Sequence, residues 1–230
     1  MESIDELLEK CELVHGHLCP GQLLGVRMAV LGCGLVGIQD PRGADRKKLI
    51  VWVEIDRCMA DAVGAVTGAR LGRRTLKFLD YGKVAATFLN IDTGEAARVV
   101  AIESSRDLAD QRYPEILNKK DRQMCTYRAA SDDQLFAVRV VKVSLSEMDA
   151  PGHPRSRVTC DQCGEGVNDG REVSLPDGST LCRSCAFGAY YQPQPGRVGG
   201  VVKPNSARYL DRNCTRSTLL ETEQRDNISR

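Results

Sequence analysis

Two short cysteine pairs near the C-terminal end constrain this chain more than any other feature. Cys160-Asp161-Gln162-Cys163 and Cys182-Arg183-Ser184-Cys185 are CxxC units separated by 18 residues. Such a spacing lets a tight knuckle turn two thiolates toward one ion, while the intervening stretch forms a hairpin that joins the knuckles. Gly164 and Gly166 relax the backbone after the first pair, and Pro176-Asp177-Gly178 supplies a turn within the excursion. The pattern predicts a closed tetrahedral zinc site; an iron-sulfur centre or a rubredoxin-like iron is the lesser metal option, and unrelated thiols or redox dithiols are the plain alternatives. A closed four-thiolate ion has no position for substrate, so the site is expected to be structural.

Ten cysteines would also suit an oxidised, secreted scaffold. A chain of 230 residues with 42% apolar content does not need that many staples, and four of the thiols stand at metal spacing. The N-terminus, Met1 to Glu6, is acidic where a secretory leader would be basic and then apolar. No apolar run approaches the roughly 20 residues of a membrane span. These features predict a cytoplasmic protein with no membrane partner. Lys plus Arg is 32 and Asp plus Glu is 31, giving a net charge of +1 and no whole-chain attraction to nucleic acid. The basic positions Arg155, Arg157, Arg171 and Arg183 lack interleaved aromatics, which makes a nucleic-acid-binding regulator the least favoured function class.

The remaining chain alternates helical and strand-like patterns without regular βαβ repetition, which predicts an α+β core. Helices are expected from Ile4 to Val14 and from Gln22 to Leu35, with Gly32 and Gly34 weakening the second. Leu49 to Ile55 reads as a buried strand, followed by a helix that Asp56 caps. Thr75–Leu79 and Val84–Leu89 are expected to pair with each other around Asp80-Tyr81-Gly82-Lys83, and Gln134 to Leu145 reads as a long strand. The resulting division is a metal- and cysteine-containing core over 1–148, a linker over 149–158, a small treble-clef or ribbon-like zinc domain over 159–192 and an extended tail over 193–230.

A second cluster has more open chemistry. His15-Gly16-His17-Leu18-Cys19-Pro20-Gly21 places two imidazoles and a thiol just before a helix whose free amides would stabilise a thiolate. Cys58 stands at the first turn of another helix. Two cysteines at two helix N-termini can share one metal with His17, and Glu54, Asp56, Cys58 and Asp61 offer the missing ligand types. Asp61, three positions beyond Cys58, shares its helical face. The plain alternative is that both cysteines are small buried side chains and Asp56 only a cap. Lys83 can orient an anionic small-molecule substrate and Tyr81 donate a hydrogen bond; their plain reading is a surface turn. No P-loop, dinucleotide fingerprint or serine-hydrolase elbow is present.

Taken together, His15 to Gly21, Asp56-Arg57-Cys58-Met59-Ala60-Asp61-Ala62 with Thr67-Gly68, and Asp80-Tyr81-Gly82-Lys83 with Thr87-Phe88 resemble the E-type accessory family of formylmethanofuran dehydrogenase, FmdE. The resemblance covers roughly residues 5 to 145, and the appended cysteine module is similar to the zinc finger found in members of that family. It implies a homodimer whose core metal, zinc or another transition metal, is held by His17, Cys19 and Cys58, with His15, Asp61, Tyr81 and Lys83 around the pocket. If the core is catalytic, Cys19 is the nucleophile or redox ligand, Cys58 its partner, His17 a ligand or proton shuttle and Lys83 the anion contact. The alternative it implies is a noncatalytic, oxidoreductase-associated accessory or regulatory protein of a molybdenum or tungsten enzyme.

Overall fold

Ser3 opens the fold. In the computed structural model, which describes residues 2–192, its hydroxyl accepts from the Glu6 amide and the Glu6 carboxylate accepts from the Ser3 amide, so a capping box starts helix α1 (Ile4–His15). Gly16 ends it at φ 89, a left-handed geometry that glycine adopts without a Cβ penalty. Three residues later Cys19 caps α2 (Pro20–Leu35), with Pro20 in the first turn, where its missing N–H costs nothing.

Gly32 does not weaken α2 as the sequence suggested. The helix runs on to Leu35, and a Cβ at Gly32 would lie 2.2 Å from ring carbons of Phe88. The glycine lets that ring rest directly on the helix backbone.

Strand β1 (Leu49–Val53) leads to α3 (Cys58–Thr67), then β2 (Leu76–Phe78), β3 (Ala85–Asn90) and β4 (Ala96–Ala101). Helices α4 (Ser104–Arg112), α5 (Lys119–Ala129) and α6 (Asp132–Leu135) precede β5 (Phe136–Val140). The sheet order is β2-β1-β3-β4-β5, with β2 parallel to β1 and all other neighbours antiparallel. The expected hairpin of β2 and β3 is therefore corrected: each pairs with an opposite edge of β1. The reason is burial, since Leu49, Ile50, Val51 and Val53 are all nearly inaccessible and such a strand is better placed inside the sheet than at its rim. The 80–83 loop crosses the end of β1, where the Glu54 carbonyl accepts from the Tyr81 and Lys83 amides.

Register puts Val51 beside Phe88 and Phe88 beside Ala97, and Val53 beside Ala86 and Ala86 beside Val99. These side chains join Leu7, Leu8, Leu23, Val26, Met59 and Val63 in one core against α1, α2 and α3. The expected long strand from Gln134 to Leu145 is also corrected. Ser131 opens a helical turn with its own capping box, and pairing with β4 ends at Val140. α3 is capped at Arg57 with no side-chain hydrogen bond, so Asp56 does not perform the capping expected of it.

By contacts the chain divides into Met1–Cys182 and Arg183–Arg230. The first unit ends with two small hairpins, β6 (Arg157–Thr159) with β7 (Gly166–Asn168) and β8 (Val173–Ser174) with β9 (Thr180–Leu181). The described part of the second holds α7 (Arg183–Phe187). The tail expected over 193–230 lies outside the described residues. Among the described residues no helix is long and apolar enough to cross a membrane.

Candidate metal centres

The C-terminal cysteines stand on turns that prepare sulfur for metal. The Cys160 amide donates to Glu165 O and the Gly164 amide to Cys160 O, closing a knuckle whose Gly164 has φ 73. Asp161 links the first knuckle to β9: its amide donates to Thr180 O, and its carboxylate accepts from the Thr180 amide at 2.6 Å. Amides of Cys163, Cys182 and Gln162 point at the Cys160 sulfur and lower its pKa from 9.0 to about 6, Cys163 contributing most. A thiolate is thus favoured there near neutral pH.

The thiols of Cys160, Cys163, Cys182 and Cys185 lie within 4.8 Å of one another, and Cys163 Sγ is 3.8 Å from Cys182 Sγ. A tetrahedron with Zn–S bonds of ~2.3 Å has S–S edges of about 3.8 Å. The donor set and its spacing fit a four-thiolate zinc ion.

The core cluster arises where α1 ends and α2 and α3 begin. His15 closes α1, Gly16 turns the chain, His17 follows, and Cys19 caps α2. Donor atoms of His15, His17 and Cys19 lie within 4.8 Å of one another, with the two imidazole centroids 4.8 Å apart. Asp61 Oδ2 is 2.8 Å from His15 Nδ1. This contact orients the ring and leaves Nε2 as its ligand atom, the carboxylate–histidine arrangement that supports metal binding elsewhere. His17 is exposed and His15 and Cys19 half-buried, so the cluster is open to solvent.

Cys58 reaches the cluster because α3 packs closely on α2. A Cβ at Gly25 would lie 2.7 Å from both Met59 O and Ala62 Cβ; one at Gly21 would lie 3.3 Å from Cys58 Cβ and 3.8 and 4.0 Å from the Cys19 and Cys58 sulfurs. The two glycines let the N-terminal ends of the helices meet. Burial, a hydrogen bond to Cys19 and the charge on Cys19 raise the Cys58 pKa, so Cys58 keeps its proton and donates it toward Cys19. One imidazole pair and one sulfur therefore form the donor group, with the second thiol against that sulfur.

The other expected ligand types are used differently. Glu54 is buried, and both its oxygens accept from Arg98 at 2.6 and 2.7 Å. That bidentate pair fixes the end of β1 four residues before Cys58. Tyr81 and Lys83 are exposed and face each other, with the ammonium 6.0 Å from the ring centroid. They are not part of the donor group.

Sequence reasoning missed the joint between the core and the small hairpins. Arg74, left-handed at φ 60, ends a short 3-10 turn; its guanidinium is 2.6 Å from Asp169 Oδ2 and also donates to Met148 O. Lys77 donates to Asp149 O at 2.6 Å, and Arg171 pairs with Asp149. A non-glycine residue held at positive φ was the structural sign; nothing in the linear order announces it.

Residues 14–161 match the model of a family described as FmdE, molybdenum formylmethanofuran dehydrogenase operon. Residues 154–191 match the prokaryotic dksA/traR C4-type zinc finger. A relative from Archaeoglobus fulgidus, described as a probable S-adenosyl-L-methionine-binding protein, is 30% identical over 223 residues; the match takes in 87% of this chain and 57% of the length of that relative. A crystal structure of a tungsten formylmethanofuran dehydrogenase FmdE-like protein from Syntrophus aciditrophicus matches with a TM-score of 0.56 and 27% identity, covering 83% of this chain and 96% of the other.

Proposed function

The chain belongs to the FmdE family, and on that premise we propose that it is a two-site metal protein: a four-thiolate zinc module maintains structure, and His15, His17 and Cys19 bind a second, solvent-accessible transition metal. The observation that carries the reading is the convergence of these three donors beside Cys58. Two imidazoles and one thiolate suit zinc or a similar borderline ion and leave a fourth position to water or substrate. Such an ion supplies Lewis acidity to a bound oxygen.

The protein groups then have separable roles. Asp61 sets the His15 tautomer by accepting from Nδ1, while Cys58 donates a hydrogen bond that moderates the charge on Cys19. Cys58 also holds a proton next to the ligand sphere. Lys83 and Tyr81, on the loop hung from Glu54, offer contacts to an anionic substrate group. The division into a core over 1–148, a connecting segment over 149–158 and a zinc module over 159–192 belongs to the same proposal.

Anaerobic titration of the full chain with Co²⁺ tests this reading. Two equivalents should bind, and Cys19→Ser or His17→Ala should each abolish one of them while the thiolate-to-metal bands of the other persist. Unchanged stoichiometry in both variants would overturn the second site.

The description of the Archaeoglobus relative favours one further reading, in which the open cluster receives S-adenosyl-L-methionine. Saturable binding in equilibrium dialysis, lost in Cys19→Ser, supports it; no saturable binding removes it. The accessory-protein reading rests on family membership, and co-purification with a molybdenum or tungsten enzyme is its test.

A further inference from the structure

The largest feature that the metal centres do not use is a cavity of about 550 Å³ beneath the start of the sheet. Its wall combines the entry to β1 (Arg46, Lys47, Leu49), the end of α3 (Thr67 to Ala69), the turn before β2 (Arg73, Thr75) and the segment from Leu145 to Gly152. It shares no residue with either cysteine cluster.

The lining is sorted by depth. Leu49, Thr67 and Ala69 are buried, whereas Arg46, Lys47 and Arg73 are exposed. No Asp or Glu lines the cavity among the described residues, and none of the three cations has an ion pair there. This matters because the neighbouring cations are committed: Lys48 pairs with Asp45, and Arg74 with Asp169 and Asp149. Three unpaired cations over an apolar floor, without an acid to neutralise them, make a positive mouth above a surface that gains from excluding water.

We propose that this cavity binds a small organic anion, with its phosphate, sulfonate or carboxylate group at Arg46, Lys47 and Arg73 and its apolar body against Leu49, Ile91, Leu145 and Pro151. The volume is within the range of small-molecule pockets and admits a ligand of two fused or linked rings. A sulfonium or other cationic ligand is disfavoured by the same charges, which separates this site from one for S-adenosyl-L-methionine. The segment carrying Leu145, Ala150 and Pro151 also carries Met148 and Asp149, the acceptors of Arg74, Arg171 and Lys77, so an occupant would touch the strap that meets the zinc hairpins.

The test uses two fluorescent probes on the full chain: anilinonaphthalene sulfonate, which is anionic, and N-phenylnaphthylamine, which is neutral and nearly isosteric in its rings. The anionic probe should bind saturably at one site. Its affinity should fall at least about tenfold in the Lys47→Ala/Arg73→Ala double variant, as expected for lost charge-assisted contacts, and in Leu145→Glu, which sets an anion on the wall. The neutral probe should bind the double variant as it binds wild type, and Lys83→Ala, a cation outside the cavity, should leave both probes unaffected. Absence of saturable binding, a change of less than twofold in the double variant, or equal losses for the charged and neutral probes would each overturn the proposal.

Discussion

The two cysteine clusters hold sulfur at comparable spacings, yet what holds the backbone beneath them differs. Around Cys19 and Cys58, three helices share a core of Leu7, Leu8, Leu23, Val26, Met59 and Val63, so the donors are brought together by packing. Around Cys160 and Cys182 the strands are two or three residues long, and between residues 157 and 192 only Cys160, Asp169 and Cys182 are buried. There the ion takes the place of a core. One metal is thus required by the fold, whereas the other is accommodated by it.

Breaking the module is expected to give the largest effect. Cys163→Ser should remove zinc and raise protease cleavage between residues 157 and 192 by about tenfold or more, while the circular dichroism of the core persists. Normal zinc content in that variant would erase the contrast. Next, Asp61→Asn removes the carboxylate on His15 and should weaken core metal binding about 10–100-fold without shifting the melting temperature of the metal-free protein.

Acidification sharpens the same comparison. The depressed Cys160 pKa contributes stability that is complete above the unfolded value of 9.0 and is lost as pH falls through about 6. The raised Cys58 pKa has the opposite sign: its contribution is complete below the unfolded value and is lost as pH rises through the higher folded value. Module zinc should therefore persist until pH 6 or below, and metal release monitored with a chromophoric chelator checks it; release already complete at pH 8 contradicts the assignment.

Gly25→Ala should cost about 1–3 kcal/mol, because its Cβ meets the α3 backbone, and should separate Cys19 from Cys58. Thermal denaturation and the rate of cross-linking between the two thiols measure both parts. The smallest effect is expected from Arg74→Ala. It should loosen the hairpins by about 1 kcal/mol, seen as faster amide exchange at 155 and 169, while leaving both metals bound.

How much of this was legible in the sequence follows the distance over which each feature is encoded. The CxxC turns and the His15-to-Cys19 segment are local, and their glycine and proline punctuation is readable residue by residue. The helices α1 and α2 were readable from their apolar spacing. The partner of β2 was not, because chain proximity favoured a hairpin with β3 and only the burial of β1 decides otherwise. Glu54 was readable as a candidate ligand, but its commitment to Arg98, like the Asp61–His15 contact across 46 residues and the Arg74–Asp169 pair across 95, depends on tertiary placement. The cavity at Arg46, Lys47 and Arg73 drew on four separated segments, with charges that look like an ordinary solvated turn when read in order.

The central claim is that the core keeps a metal the zinc module does not supply. Full-length protein carrying Cys160→Ser, Cys163→Ser, Cys182→Ser and Cys185→Ser, purified anaerobically after growth with zinc and analysed by inductively coupled plasma mass spectrometry, tests it most directly. The quadruple variant should hold one metal equivalent per chain against two in the wild type, falling to none when Cys19→Ser is added. A metal-free quadruple variant with an intact core would contradict the claim.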